Sequence, residues 1–231
     1  MSDGLRLVPT AAEGLALEAA LFDAATPGVA VWSARAPALV CPAPLIRRTG
    51  LPAKPVFQGW PIFARPTGGG VVPQGPGILN LAISYCTGPG TALDTGYRSL
   101  ARILTRAVAH HAPELSFGPT PHSFCDGAWN LMVAGRKVGG TAQRWRPLPN
   151  GGGHRVLAHA VLLITGDSHH AASVIAAFHA RHDLPPVDPN VHATLSALAT
   201  GPAPTVETLA RTLIRAGRSE LSAETPSRAV A

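Results

Sequence analysis

Charge is scarce in this sequence. Only 14% of its 231 residues are Asp, Glu, Lys or Arg, against roughly 25% in an average domain. With 46% apolar residues, that shortage excludes a disordered chain, which needs the opposite balance. The 24 Gly and 23 Pro stay below the low-complexity range. Aromatics reach 5%, and no helix-turn-helix or other known module accompanies them, so a nucleic-acid-binding role is not indicated. The three cysteines, Cys41, Cys86 and Cys125, are odd in number and lack C-x-x-C spacing. They offer neither a disulfide framework nor a structural zinc site, and they fit a reducing cytoplasm. No apolar run approaches the roughly 20 residues of a membrane span, and Met1-Ser-Asp-Gly-Leu-Arg lacks the basic-then-apolar pattern of a secretion signal. The expectation is a soluble cytoplasmic protein, without a membrane partner or a bound metal.

The charge that is present is unevenly placed. Residues 24–166 hold thirteen bases against three acids (Asp94, Glu114, Asp126), and the stretches 24–93 and 127–166 contain no acid. A positive middle segment predicts an anionic partner. A genome-wide bias toward arginine would add bases but would not remove acids from those stretches. Lys54 and Lys137 are the only lysines, which makes each a candidate for a site where a compact ammonium matters.

Periodicity outlines the elements. Thr10 with Glu13 has the form of a capping box, and Leu15, Leu17, Leu21 and Phe22 continue as an apolar stripe, predicting a helix over 10–25. Short β-type runs follow at Val29–Trp32, Ala38–Val40, Trp60–Ala64 and Ile78–Ile83, then a helix over 92–112. Trp129–Val133, a turn at Ala134-Gly135, Lys137–Gln143 and His154–Ile164 predict an antiparallel meander with a mobile loop at Pro147–Gly153. Helices are predicted at 167–181 and 205–217, followed by a frayed polar tail over 219–231. This order is α+β, with mixed, largely antiparallel sheets flanked by helices, in one domain over residues 1–218.

Two segments carry chemistry. In Arg65-Pro-Thr-Gly-Gly-Gly70 the glycines let backbone N–H groups approach a ligand, while Arg65 and Thr67 add charge and a hydroxyl. No Gly-Lys-Ser/Thr follows, and the next element reads as a strand, which excludes a phosphate loop and a dinucleotide fingerprint. Alone, the segment is equally a flexible turn. The second segment runs from Phe124-Cys-Asp-Gly-Ala-Trp-Asn-Leu131 into Gly135-Arg-Lys-Val-Gly-Gly-Thr-Ala-Gln-Arg144. It places a free thiol, Cys125, a hairpin away from Lys137, and Gly139-Gly140 allows close packing of the return strand.

Together with Gly77-Ile-Leu-Asn-Leu81, these segments resemble the lipoate/octanoate–protein ligase and transferase family over roughly residues 10–180. The resemblance implies a biotin/lipoate protein ligase catalytic-domain fold. It implies an acyl tunnel lined by Arg65, Thr67, Gly68, Gly69, Gly70, Asn80, Gly139, Gly140, Thr141 and Ala142, with Lys137 on the acyl carbonyl. The Phe-Cys-Asp-Gly-Ala-Trp-Asn-Leu run is most similar to the Tyr-Cys-Pro-Gly-Ser-Tyr-Asp-Leu pattern of cysteine-dependent octanoyl amidotransferases. That likeness implies an acyl-thioester on Cys125, oxyanion stabilisation by Lys137 and backbone N–H groups, and no cofactor for transfer. Implied partners are acidic lipoyl-domain proteins (E2 subunits and glycine-cleavage H protein) and acyl carrier protein. Arg144 and Arg146 would then lie near the tunnel mouth.

Two other readings stay open: the catalytic subunit of an ATP-dependent lipoate ligase, needing ATP and Mg, and a non-catalytic protein that binds acyl groups or lipoyl domains. The sequence departs from the family at Pro73-Gln-Gly75, where ligases carry Tyr-His-Asp, and at Asp126, where the amidotransferases carry Pro. His122 is the best local candidate for a general base. His110, His111, His154 and His159 read as solvated or structural rather than as a metal site.

Overall fold

The computed structural model describes residues 4–224. After β1 (Arg6–Val8), Thr10 opens α1 (Ala11–Asp23) with the expected capping box, Glu13 accepting from the Thr10 N–H at 3.2 Å. The chain continues through β2 (Gly28–Ala34), β3 (Ala38–Pro42), α2 (Ala43–Arg48), β4 (Val56–Phe57), β5 (Trp60–Arg65), β6 (Val72–Gln74) and β7 (Ile78–Thr87). Next come α3 (Thr95–Val108), β8 (Ser116–Gly118), β9 (Asn130–Val133), β10 (Arg136–Pro147) and β11 (His154–Leu163). The last elements are α4 (Ser168–Arg181), the short α5 (Leu195–Leu198) and α6 (Val206–Glu224).

Seven strands form the main sheet in the order β1-β2-β7-β11-β10-β9-β8, antiparallel except for β1 with β2. A second sheet, β4-β5-β3-β6, pairs β3 with β5 in parallel and is otherwise antiparallel. The α+β reading and the meander are both present. Ala134 (φ 47°) and Gly135 (φ 72°) take the two left-handed positions of a primed hairpin turn. The second sheet was not legible as a sheet, because its strands are only two to six residues long and fall below the window in which periodicity declares itself.

Strand β7 is buried on both faces, and its side chains divide by parity. Leu79, Leu81 and Ile83 join Leu100, Ile103 and Leu104 of α3 and Leu209 and Leu213 of α6 in one apolar cluster. Ile78 faces the other way, into a cluster with Trp32, Leu39, Phe124, Ile175 and Phe178. Asn80 shares that second parity. The register Asn80↔Val161↔Gly140 and Ala82↔His159↔Ala142 carries the same face across three strands, so it becomes a continuous wall.

The last helix runs past its expected end at Gly217. Gly217 is a contact glycine here: a Cβ would lie 3.0 Å from a Val29 methyl. Beyond it, Glu220 is buried and pairs with Arg102 (2.5 Å) and Arg106 (3.0 Å) of α3. Residues 219–224 are therefore helical, and 225–231 of the expected tail lie outside the described residues. No helix among the described residues is long and apolar enough to cross a membrane.

Gly14 sits inside α1, where alanine would normally add about 1 kcal/mol of stability. A Cβ there would come 2.2 Å from the Trp32 ring, whose Nε1 is held by Glu18 at 3.0 Å. Gly14→Ala should therefore destabilise the protein by about 1–3 kcal/mol, as read by urea denaturation; a gain in stability would contradict this packing.

Candidate active site

The segment between β8 and β9 carries Cys125 in a left-handed backbone conformation (φ 50°). For a residue with a side chain this costs about 1–2 kcal/mol. The Gly-rich loop between β5 and β6 lies directly on the thiol. Gly70 N–H donates to Cys125 Sγ at 3.0 Å, and a Cβ on Gly69 would stand 2.7 Å from that sulfur. Only glycine allows this approach. Arg65 fixes the loop from beneath, donating to Val40 O (2.9 Å), Gly68 O (2.9 Å) and Gly70 O (2.6 Å). Burial lowers the Arg65 pKa from its ordinary value, while the nearby Cys125, Cys41 and Glu18 oppose that shift. Arg65 thus braces the loop and stands beside the sulfur.

Lys137 enters from β10 at a bulge, where the register with β9 shifts between Lys137 and Gly139. Its side chain is completely buried. Nζ donates to Phe124 O at 2.5 Å, Cys125 O at 2.9 Å and Ser123 Oγ at 3.3 Å, which uses all three ammonium protons. Burial pushes its pKa down to about 8, against the opposing pull of Cys125 and Asp126. In this arrangement the lysine binds the carbonyls on either side of the Cys125 Cα. Asp126 faces away from that pair: its Oδ1 accepts from Thr120 N (2.7 Å) and Asn130 Nδ2 (2.9 Å).

Two concavities meet at Cys125. One is a cavity whose apolar lining includes Leu15, Val40, Val72, Phe124 and Val161. Of the predicted residues, Arg65, Asn80, Cys125, Lys137, Gly140, Thr141 and Ala142 line it. The other is an open groove between the Gly-rich loop, α2 and α4, lined by Gly68, Gly69, Gly70, Arg48, His122 and His179. Gly139 lines neither; its missing side chain lets β10 pack on Val161 O, which a Cβ would meet at 2.6 Å. Thr67 also lines neither, and bonds His159 instead.

Several residues of the site were not expected. Glu18 is buried on α1 and accepts from Trp32 Nε1 at 3.0 Å, while its second oxygen is 3.1 Å from His159 Nδ1. His159 Nε2 lies 3.0 Å from Thr67 Oγ1. A carboxylate–imidazole–hydroxyl chain therefore links the cavity wall to the Gly-rich loop, and His159 belongs to that wall rather than to solvent. Glu18 interrupting a stripe of Leu15, Leu21 and Phe22, and His159 alternating with Ala158 and Ala160, were the available signals. Gln74, one of the family departures, forms a reciprocal amide pair with Asn80 at 2.8 Å in each direction.

Other residues singled out in the sequence lie away from the site. His111 bonds Pro202 O and His154 packs on Trp145, so neither joins His159. Among the described residues no group of three or more His, Cys, Asp or Glu could hold a metal. Lys54 is exposed. Arg144 and Arg146 both stack on Phe22, and Arg146 pairs with Asp23 at 2.7 Å. They line a separate cavity with Pro66 and Thr67, not the groove.

A family model described as the lipoyl protein ligase A/B catalytic domain matches residues 55–216. An uncharacterized protein of Cupriavidus necator is 41% identical over 166 residues, covering 64% of this chain and 65% of that protein. An octanoyl-GcvH:protein N-octanoyltransferase of Kyrpidia tusciae is 35% identical over 139 residues, covering 58% of this chain and 48% of that one. Both matches span less than two thirds of the relative's own length. Among solved structures, a bi-partite lipoate protein ligase from Thermoplasma acidophilum, described with its E2 lipoyl domain, is similar with a TM-score of 0.62 at 14% identity. That likeness covers 96% of this chain and 85% of the other, and shows a shared fold.

The depressed Lys137 pKa has a measurable consequence. The folded protein releases this proton near pH 8 and the unfolded chain near 10.5, so between those values the unfolded state binds more protons and stability rises with pH. The stability of the wild type relative to Lys137→Met should climb across pH 8 to 10.5. Urea denaturation of both proteins over that range would show a flat difference if the ammonium were solvated.

Proposed function

The chain belongs to the lipoyl protein ligase A/B catalytic-domain family, and from that premise we propose that it transfers an octanoyl or lipoyl group to lipoyl-domain proteins through an acyl-thioester on Cys125. The observation that carries this reading is the position of Cys125 Sγ. It is held by Gly70 N–H, beside Arg65, where a largely apolar cavity meets an open groove. An acyl chain enters the cavity, and the donor's leaving group and the acceptor's lysine occupy the groove by turns.

In the first step the Cys125 thiolate attacks the donor carbonyl. A sulfur–carbon bond forms, and collapse of the tetrahedral adduct breaks the bond to the donor's leaving group, which takes up a proton from water in the groove, the proton that the second step returns there. As the sulfur loses its charge, Gly70 N–H is released to the oxyanion, and the buried Lys137 ammonium supplies positive potential in a water-poor setting. In the second step the neutral amine of the acceptor lysine attacks the thioester. The carbon–nitrogen bond forms, the carbon–sulfur bond breaks, and the amine proton leaves through the groove, which His122 and His179 line. E2 subunits and glycine-cleavage H protein are the acceptors this chemistry suits, with acyl carrier protein as an alternative donor.

A ligase reading draws support from the likeness to a bi-partite lipoate ligase. Transfer without ATP is favoured by the placement of Cys125 where cavity and groove meet, since an acyl-adenylate route needs no thiol there.

Intact-mass measurement of a lipoyl domain, after incubation with this protein and each donor in turn, tests the proposal. Octanoyl-carrier protein should leave a covalent octanoyl adduct on the enzyme, and transfer should proceed without ATP. Cys125→Ser should abolish the adduct or convert it to an ester. Full transfer by Cys125→Ala would sink the thioester mechanism, and acylation that requires free acid and ATP with release of pyrophosphate would establish the ligase.

A further inference from the structure

The cysteine segment is held from one side by Lys137 and from another by a stretch far downstream. Pro189–Val191 forms a single turn of 3-10 helix, and His192 after it runs beside Lys137 as an isolated parallel bridge. Ala193 N donates to Lys137 O at 2.9 Å, Asp188 N donates to His122 O at 2.8 Å, and the Arg136 guanidinium donates to His192 O. His192 is completely buried, and its ring lies flat on the Phe124 ring, with centroids 4.3 Å apart and planes 4° apart. Its Nε2 accepts the Phe124 N–H at 3.2 Å, while Nδ1 faces Pro189 O at 3.3 Å. The tautomer follows: the proton sits on Nδ1, and Nε2 offers a lone pair.

We propose that His192 is a positioning residue for the Cys125 nucleophile, accepting the Phe124 N–H and stacking on its ring so that the next residue is held left-handed beneath Gly70. Phe124 is thus gripped at its N–H by His192 and at its carbonyl by Lys137. The first bond holds the peptide before Phe124 and the second the peptide before Cys125, so together they fix the Phe124 backbone from which the Cys125 conformation starts. A neutral imidazole suits the place, since a second cation beside Lys137 would be repelled; burial and then Lys137 lower the His192 pKa to about 4. No metal or substrate is needed for this role, because His192 itself lines neither the cavity nor the groove and reaches them only through Phe124.

The proposal adds to the acyl-transfer reading, and its test separates the two. His192→Phe keeps a flat ring on Phe124 and removes the acceptor; His192→Gln gives up the stack and restores an acceptor near the Nε2 position. The readouts are the rate of Cys125 carboxamidomethylation by iodoacetamide at pH 7, mapped by peptide mass to distinguish Cys86, and kcat and KM for transfer. His192→Phe should lose at least about tenfold in alkylation rate and in kcat with KM unchanged, and His192→Gln should recover to within about threefold of wild type. Should His192→Phe fail to fold, His192→Met carries the same comparison. Unchanged alkylation in the acceptor-less variant would overturn the proposal, as would equal losses in both variants that track their melting temperatures. If alkylation follows the expected pattern while the wild type transfers no acyl group from any donor, the acyl-transfer reading fails and the positioning role stands.

Discussion

A single buried ammonium organises this molecule. Lys137 reaches the interior because a bulge in β10 turns its side chain inward, and there it can be neither hydrated nor paired with a carboxylate in contact. Removing such a charge from water costs several kcal/mol, and backbone carbonyls and one hydroxyl offset it. Those carbonyls belong to Phe124 and Cys125, so satisfying the lysine fixes the cysteine in a conformation that L-residues otherwise avoid. The strain at Cys125 and the cost of burying Lys137 are therefore carried by the same three hydrogen bonds.

The rest of the architecture serves that arrangement by placing two sheets around one cavity. Alternation along β7, β11 and β10 commits one face to α3 and α6 and leaves Asn80, His159, Gly140 and Ala142 on the other. The small sheet brings Arg65 and the Gly-rich loop against that face. Each glycine of the loop answers a specific proximity: Gly69 to the sulfur, Gly70 to the backbone of Cys125. The cavity and the open groove then share Cys125 in their linings, so the sulfur stands where the two spaces meet.

What was legible in the sequence followed a consistent division. Long periodic segments declared themselves, as at α1, α3 and the β9–β11 meander, because local pattern and tertiary role agree there. Cys125, Lys137 and the glycine run were legible as a constellation whose spacing matched a family. Glu18, His159 and His192 were not, because each acts through a residue distant in the chain: Glu18 on Trp32, His159 on Thr67, His192 on Phe124. A histidine among ten carries no mark of its partner. The end of α6 was misjudged at Gly217 because a glycine that terminates a helix and one that admits a neighbour's methyl look the same in one dimension. Arg144 and Arg146 were placed at the mouth from charge alone, while their aromatic partner Phe22 lay in another part of the chain.

The stretch matched by the family model begins at residue 55, after α1, β2 and β3. Those earlier elements supply Leu15, Glu18 and Val40 to the cavity lining, while Cys125, Lys137, Arg65 and the Gly-rich loop all come from the matched stretch. The cavity wall thus draws on both parts of the chain, whereas the sulfur, the buried lysine and the glycine run come from the matched stretch alone. Substitutions at Leu15 or Val40 would reshape one side of the chamber while leaving every side chain around the sulfur as it is.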